Sequence, residues 1–434
     1  MKKLLLIIIL LFPAIPDVFA QSPTTSFDVD GIKVVFKPTV KDIINVRVFF
    51  KGGVTNYPAS QAGIENFALS AITECGTKKY TGNAFRDLAD SYSIAIGSEA
   101  SYDYGDVEME CVSKYFNYGW DLFADAVKNP VFDAKEVELL RNKLLAGERE
   151  AGSDPDKRSG ELILQNAFAG TPYATDPNGS EETLSKFTPA DLKAYYQSIL
   201  NKEQLFIVVA GKISKDELAA KIHASFAGLP SRPYQPRHLV APIWNDYKVL
   251  TEKRDLQTNY ITAIMNSPQV YSPDYVPFRL AISVLGGSMF SDLRTDRNLG
   301  YDPGAESVAR KMPYATMSIS TTQPKEAVQE MVKTLNEVRM YGVSDNGLKQ
   351  LKSSYITNNY ITQQSTSAIT GGLGEAEVLG GWETAENLPA LVDKVTIQQI
   401  NATINVYVVG LRWSYLGNPD GANDAAVGFI EQVK

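Results

Sequence analysis

The sequence predicts an α+β fold of two similar halves, each a mainly antiparallel β-sheet with helices on one face. Three observations predict it. Strand-like and helix-like segments come in grouped runs rather than in strict alternation, which disfavours a doubly wound parallel sheet. A proline-rich stretch, "LPSRPYQPRHLVAPIW" (Leu229 to Trp244), divides the chain into two blocks of about 200 residues, and its four prolines favour extended chain. The blocks also share a late landmark. "FTPADLKAYYQSI" starts a helix at Thr188 with Pro189 in the first helical position, and "VTIQQINATINVYV" starts one at Thr396.

The elements then follow in matching order. Each half opens on two strands, "IKVVFKP" and "INVRVFF" in the first, "YKVLTEK" and "NYITAIM" in the second. A helix follows, "QAGIENFALSAITEC" or "PDYVPFRLAISVLG". Strands return with "ASYDYGDVEMECVS" and "YATMSISTT", and long helices with "DAKEVELLRNKLLAGERE" and "VQEMVKTLNEVRMY". The threonine-started helices lead into the strands "LFIVVAG" and "RWSYLGN", and each half closes on a last helix. "GGLGEAEVLGG" (Gly371 to Gly381) reads as a break between helices. A duplicated domain on a linker could close like a clam around a ligand.

At 434 residues, 44% hydrophobic and 21% charged, the chain has ordinary globular composition and is too long for one core. A formal charge of −8 with dispersed acids disfavours nucleic acid, which needs a basic face. The first residues, "MKKLLLIIILLFPAIPDVFAQS", read as a secretory signal peptide over residues 1–20. Lys2 and Lys3 precede an apolar run from Leu4 to Phe12, and Val18 and Ala20 sit at the −3 and −1 positions of a cut before Gln21. That run is too short to span a bilayer, so the mature chain is expected to be exported, soluble, without a transmembrane segment, and periplasmic in a Gram-negative source. The two cysteines, Cys75 and Cys111, are too few for a Cys-rich metal site. In "DVEMECV" Cys111 alternates with acids and faces a core; spacing leaves buried thiols or a disulfide open, with buried thiols the simpler reading.

The familiar catalytic patterns are missing. The only histidines, His223 and His238, have no second histidine four residues away and no cysteine partner, whereas a catalytic zinc needs about three protein ligands. No G-x-S-x-G elbow is present, and "AGKISKDE" lacks the glycines of a phosphate loop. "NPDGANDAA" lacks the register of a calcium loop. What remains is "LGGSMFSDLRTDRNLGYDPG". A helix over about Pro277 to Leu285 should meet Gly286 and Gly287, which permit close approach or positive φ. A second helical piece should turn Phe290 and Leu293 inward and end at Gly300. The turn then brings Arg294 and Tyr301 to one side. By pattern alone this is a helix end with ordinary polar residues.

The same stretch resembles a segment of the pitrilysin-type (M16) zinc peptidases. There an arginine and a tyrosine seven positions apart enter the active site; on this sequence they fall on Arg294 and Tyr301, and Arg297 falls outside the spacing. "VFFKGGVTNYPASQAGIENFALSAITECGTKKYTGNAFRDLADSYS" and "NPVFDAKEVELLRNKLLAGERE" resemble the family's N-terminal half, so the likeness runs along the whole mature chain. One departure is informative. Active members carry H-x-x-E-H on the helix that here reads "GIENFALSAITECGT", which has no histidine and is about one residue longer than usual. Glu65 is the only acid in its first turns and stands without ligands around it. Glu148 and Glu150, where the third zinc ligand would come, read as solvated helix charges.

The resemblance therefore implies an N-terminal M16-like domain without zinc ligands (21–230), a linker (231–244) and a C-terminal M16-like domain with the Arg/Tyr pair (245–434). It implies a non-catalytic subunit of an exported heterodimeric zinc metalloendopeptidase. This chain would bind no metal or cofactor and cleave nothing alone. Its partner would be an H-x-x-E-H subunit carrying the zinc. The substrate would be a peptide or unfolded polypeptide, and no nucleic acid is involved. The alternative is an M16-like peptide-binding or scaffold protein with no proteolytic role.

Overall fold

A computed structural model describes residues 23–430; the expected signal peptide lies outside them. Strands β1 (Thr25–Val29), β2 (Ile32–Pro38), β3 (Ile43–Lys51), β4 (Ala95–Ala100), β5 (Tyr104–Val112) and β6 (Leu205–Gly211) form a first sheet, ordered β1-β2-β6-β3-β5-β4. Strands β7 (Lys248–Lys253), β8 (Asn259–Asn266), β9 (Gly304–Val308), β10 (Tyr314–Thr321) and β11 (Arg412–Gly417) form a second, ordered β7-β11-β8-β10-β9. Apart from β1 the two orders are the same. Each sheet has a single parallel pair at the same place, β2 with β6 and β7 with β11, and is otherwise antiparallel. The duplication read from the sequence is thus repeated in the pairing.

Eight helices position the site and join the halves: α1 (Ile64–Glu74), α2 (Ala134–Ser153), α3 (Pro155–Ala167), α4 (Pro189–Ile199), α5 (Tyr275–Met289), α6 (Pro324–Tyr341), α7 (Thr366–Leu379) and α8 (Ile397–Tyr407). α4 and α8 start where the threonines predict. Thr188 caps the Asp191 N–H while the Asp191 carboxylate accepts from Thr188; Thr396 and Gln399 repeat the exchange. Each closes two backbone donors that a bare helix end leaves open.

Side chains alternate across every strand. On β2 and β3, Val34, Phe36, Val46 and Val48 turn to a core shared with α1 and α4. Val35 and Phe49 turn to the other face, where they meet Ile369 and Leu373 of α7. β6 is buried on both faces, which is why it reads as an unbroken apolar run. In the second half Ile261, Met265, Met317 and Trp413 pack against Leu280 and Leu285 of α5 and Met331 of α6.

The halves are interlocked rather than hinged as an open clam. α7, from the second half, crosses the free face of the first sheet, and α3, from the first half, crosses the free face of the second. The β9–β10 turn adds a third lock: Lys311 N donates to Asp103 Oδ2 at 3.0 Å and Met312 is buried among first-half residues. A second sheet face must be covered by something, and here each half covers the other. This also corrects the reading of "GGLGEAEVLGG" as a break. Gly371, Gly372 and Gly374 lie inside α7, and only Gly380 and Gly381 turn the chain. A Cβ on Gly374 would lie 2.0 Å from Phe49 Cζ, so the glycine is there to let the helix seat on the sheet. Cys75 and Cys111 are both buried free thiols.

Candidate functional site

The site residues are set by the end of α5. Gly286 lets this helix run against β9, since a Cβ there would sit 3.0 Å from Ala305 O. The helix continues through the glycine pair without positive φ. Beyond Met289 it widens into a π-helical turn, Phe290–Asp296, a feature often found where a helix serves a function. Leu293 anchors it in the core, whereas Phe290, expected to turn inward with it, is exposed. Asn298, with φ +53°, then reverses the chain, and Leu299 N closes back on Leu293 O at 2.7 Å. The expected stop at Gly300 is therefore two residues late. Asparagine tolerates the left-handed region and serves here as the helix terminator. Gly300 has another duty: a Cβ would lie 2.5 Å from Ser320 O.

This turn brings Arg294 and Tyr301 together. The guanidinium carbon lies 4.2 Å from the Tyr301 ring centroid, a cation–π distance, and Nη1 donates to the Tyr301 carbonyl. The Tyr301 side chain is 77% exposed. Arg294 itself is half-buried. Arg297 is committed elsewhere, its Nε 3.1 Å from Glu330 Oε2 of α6, and Asp292 accepts from Thr334 of α6 at 2.8 Å. These two bonds pin the turn to α6, and Arg294 and Tyr301 take part in neither. The pair can donate hydrogen bonds to a carbonyl or an oxyanion. It includes no base and no nucleophile.

α1 occupies the corresponding place after β3. Glu65 is fully buried. Its Oε2 accepts from the Tyr195 hydroxyl of α4 and, at 3.1 Å, from Asn56 Nδ2, while Oε1 has no donor. Burial pushes the carboxyl up to about 7, and the Tyr195 and Asn56 hydrogen bonds pull the other way. Glu65 is thus not the bare acid that its sequence neighbours suggest, but the centre of a sealed polar cluster. Its partners lie too far along the chain for a local pattern to reveal. Glu150 is exposed. Glu148 is half-buried, and burial followed by the charges of Asp176 and Glu161 raises its carboxyl, so it is not a simply solvated charge. His223 is exposed, its Nδ1 2.7 Å from Asp30 Oδ2, and His238 is exposed on the linker. Among the described residues no group of three or more His, Cys, Asp or Glu side chains could hold a metal ion. The donor set on α1 does not fit a catalytic zinc.

Two family profiles match the chain, one over each half. The insulinase profile (peptidase family M16) matches residues 33–177, and the profile described as the peptidase M16 inactive domain matches residues 186–355. The chain belongs to the M16 peptidase family. Among M16 relatives, a Helicobacter pylori protein named non-peptidase homolog YmxG is 22% identical over 306 residues, covering 68% of this chain and 70% of its own length. The Bacillus subtilis protein named uncharacterized zinc protease YmxG is 22% identical over 385 residues, covering 86% and 92%. A solved M16 inactive domain from Pseudomonas fluorescens superposes with a TM-score of 0.81 at 19% identity, covering 91% of this chain and 98% of that one. A protease from Helicobacter pylori gives 0.83 at 15%, covering 91% and 99%. The fold is that of two M16-like domains. Its sequence contains no H-x-x-E-H, and its second half matches the profile described as the M16 inactive domain. No described helix is long and apolar enough to cross a membrane.

Proposed function

We propose that this chain is the Arg/Tyr-bearing subunit of an exported heterodimeric zinc peptidase. One observation carries the reading: half-buried Arg294 holds an exposed Tyr301, in a chain whose α1 has no histidine. Peptide hydrolysis builds negative charge on the carbonyl oxygen. A phenol and a guanidinium aimed at that oxygen, or at the adjacent peptide backbone, stabilise it, and such a donor contributes about 3–4 kcal/mol. A zinc held by the partner would supply the activated water and polarise the carbonyl. Arg294 orients Tyr301 through the ring contact and the carbonyl bond, so the phenol is positioned before substrate arrives.

The test is assembly. The mature chain and an H-x-x-E-H homologue from the same organism are purified separately and mixed with an unfolded peptide. The expected result is co-elution and cleavage by the mixture, with neither chain active alone. Peptide binding by this chain that no such partner alters, with no cleavage in the mixture, selects the scaffold alternative.

A further inference from the structure

The linker is a strut pinned at both ends by an asparagine. Asn201 donates to Arg232 O and accepts from Arg232 N, both at 2.8 Å. Asn266, at the end of β8, donates to Trp244 O at 2.7 Å and accepts from Trp244 N at 2.8 Å. Between the pins Leu239 and Ala241 pack against the first core, whereas Val240 and Ile243 are 74% and 80% exposed. The linker forms one wall of a cavity of about 840 Å³. The other walls come from the second half: the loop between β8 and α5, the β9–β10 turn, and the ends of α7 and α8. They add Tyr271, Val406 and Val409, all exposed. Five large apolar side chains around one concavity mark a binding surface, and the volume is that of a small-molecule site.

The charged part of the lining has one sign. Arg237 and His238 stand exposed on the linker, and Arg310 and Lys311 lie half-buried on the β9–β10 turn. No aspartate or glutamate lines the cavity, in a chain of net charge −8. Arg310 is committed: Nη1 donates to Ser101 Oγ at 2.5 Å, and the guanidinium lies 5.0 Å from the Tyr102 ring centroid. Lys311 is not. Its backbone N–H goes to Asp103, but among the described residues its ammonium has neither a hydrogen bond nor an ion pair. Burial lowers its pKa, against the pull of the Asp103 charge. A half-buried cation without a partner, set beside apolar walls, fits an anion that carries its own apolar body. An extended peptide fits less well. Pro236, Pro242, Pro268 and Pro313 line the walls, and proline offers no N–H to a backbone ladder. An aliphatic chain needs no ladder.

We propose that this cavity binds a fatty acid, with the chain along the apolar walls and the carboxylate on Lys311. The proposal stands apart from the function proposed above, since neither Arg294 nor Tyr301 lines the cavity. The test is displacement of a fluorescent fatty acid from the full mature chain. The competitors are laurate, dodecanol, hexanoate and an apolar peptide with a free C-terminal carboxylate. Laurate should compete about tenfold better than dodecanol, as expected for a charge-assisted hydrogen bond. It should compete at least about tenfold better than hexanoate, which buries fewer methylenes. Lys311→Met should bring laurate to the level of dodecanol and leave dodecanol where it was, and Lys311→Arg should keep the preference. Val406→Asp with Val409→Asp, both at exposed positions, should abolish binding of the fluorescent fatty acid without lowering the melting temperature of the free chain. Lys78→Met, exposed and outside the cavity, should change nothing. A laurate preference that survives Lys311→Met, or probe binding that survives the two aspartates, overturns the site. Stronger competition by the peptide than by laurate overturns the choice of ligand. If the fluorescent fatty acid does not bind the native chain, the proposal falls outright.

Discussion

α1 and α5 are the same helix of the repeat, each following the central antiparallel strand of its sheet, and they have opposite surfaces. α1 closes its polar start inward: buried Glu65 accepts from Asn56 and Tyr195 on Oε2, with Oε1 left without a donor. α5 carries one charged residue, Arg279, and beyond its end the π-helical turn and Asn298 bring a half-buried Arg294 to an exposed Tyr301. The proposed function would thus place chemistry in one copy of a duplicated scaffold and only packing in the other. The helix itself is no guide to which copy is which; the segment beyond it and the donors around it decide.

Three substitutions probe that contrast, from the strongest effect to the weakest. Gly300→Val forces a side chain to within 2.5 Å of Ser320 O and 2.6 Å of Ile319 Cγ1. It should cost about 2–3 kcal/mol in denaturant unfolding and weaken peptide binding by moving Tyr301. An unchanged unfolding midpoint would show that the turn is loosely held. Glu65→Gln keeps the shape of the α1 cluster and removes its titration. In the native chain the folded state holds the Glu65 proton up to about pH 7, whereas the unfolded state loses it near 4.5. Stability from this group therefore declines as pH rises across that window. The variant should flatten the decline and be more stable at pH 8 by about 2 kcal/mol, read from melting curves between pH 4 and 8. Identical pH profiles would mean that the Glu65 carboxyl ionises as freely in the folded chain as in the unfolded one. His223→Ala removes an exposed pair and should shift stability by less than about 0.5 kcal/mol. A larger loss, or loss of peptide binding, would give this histidine a role that the contrast denies it.

How much of the molecule is legible in its sequence depends on the reach of each interaction. The capping boxes at Thr188 and Thr396 are complete within four residues and can be read directly. So can the alternation in β3, β8 and β10, and the approach of Arg294 to Tyr301, because one turn holds both. The strand order cannot, since β2 pairs with β6 across most of the first half. The helix through Gly371–Gly374 overrides a local breaker signal because Phe49, far along the chain, needs the space. The terminator is misplaced for a related reason. Asn298 and Gly300 both suit a helix end, and only the proximity of Ser320 shows that the glycine is required for packing. Glu65 looks isolated because Tyr195 lies in another element.

The most direct test of the catalytic role of this chain is the cleavage rate of the mixed chains with Tyr301→Phe in this one. The phenol is exposed, so the substitution should leave unfolding unchanged. A fall of about 10²–10³ in kcat is expected, with Arg294→Ala following it and the partner's zinc content unaltered. Cleavage by the mixture at the native rate with both substitutions in place would contradict that role.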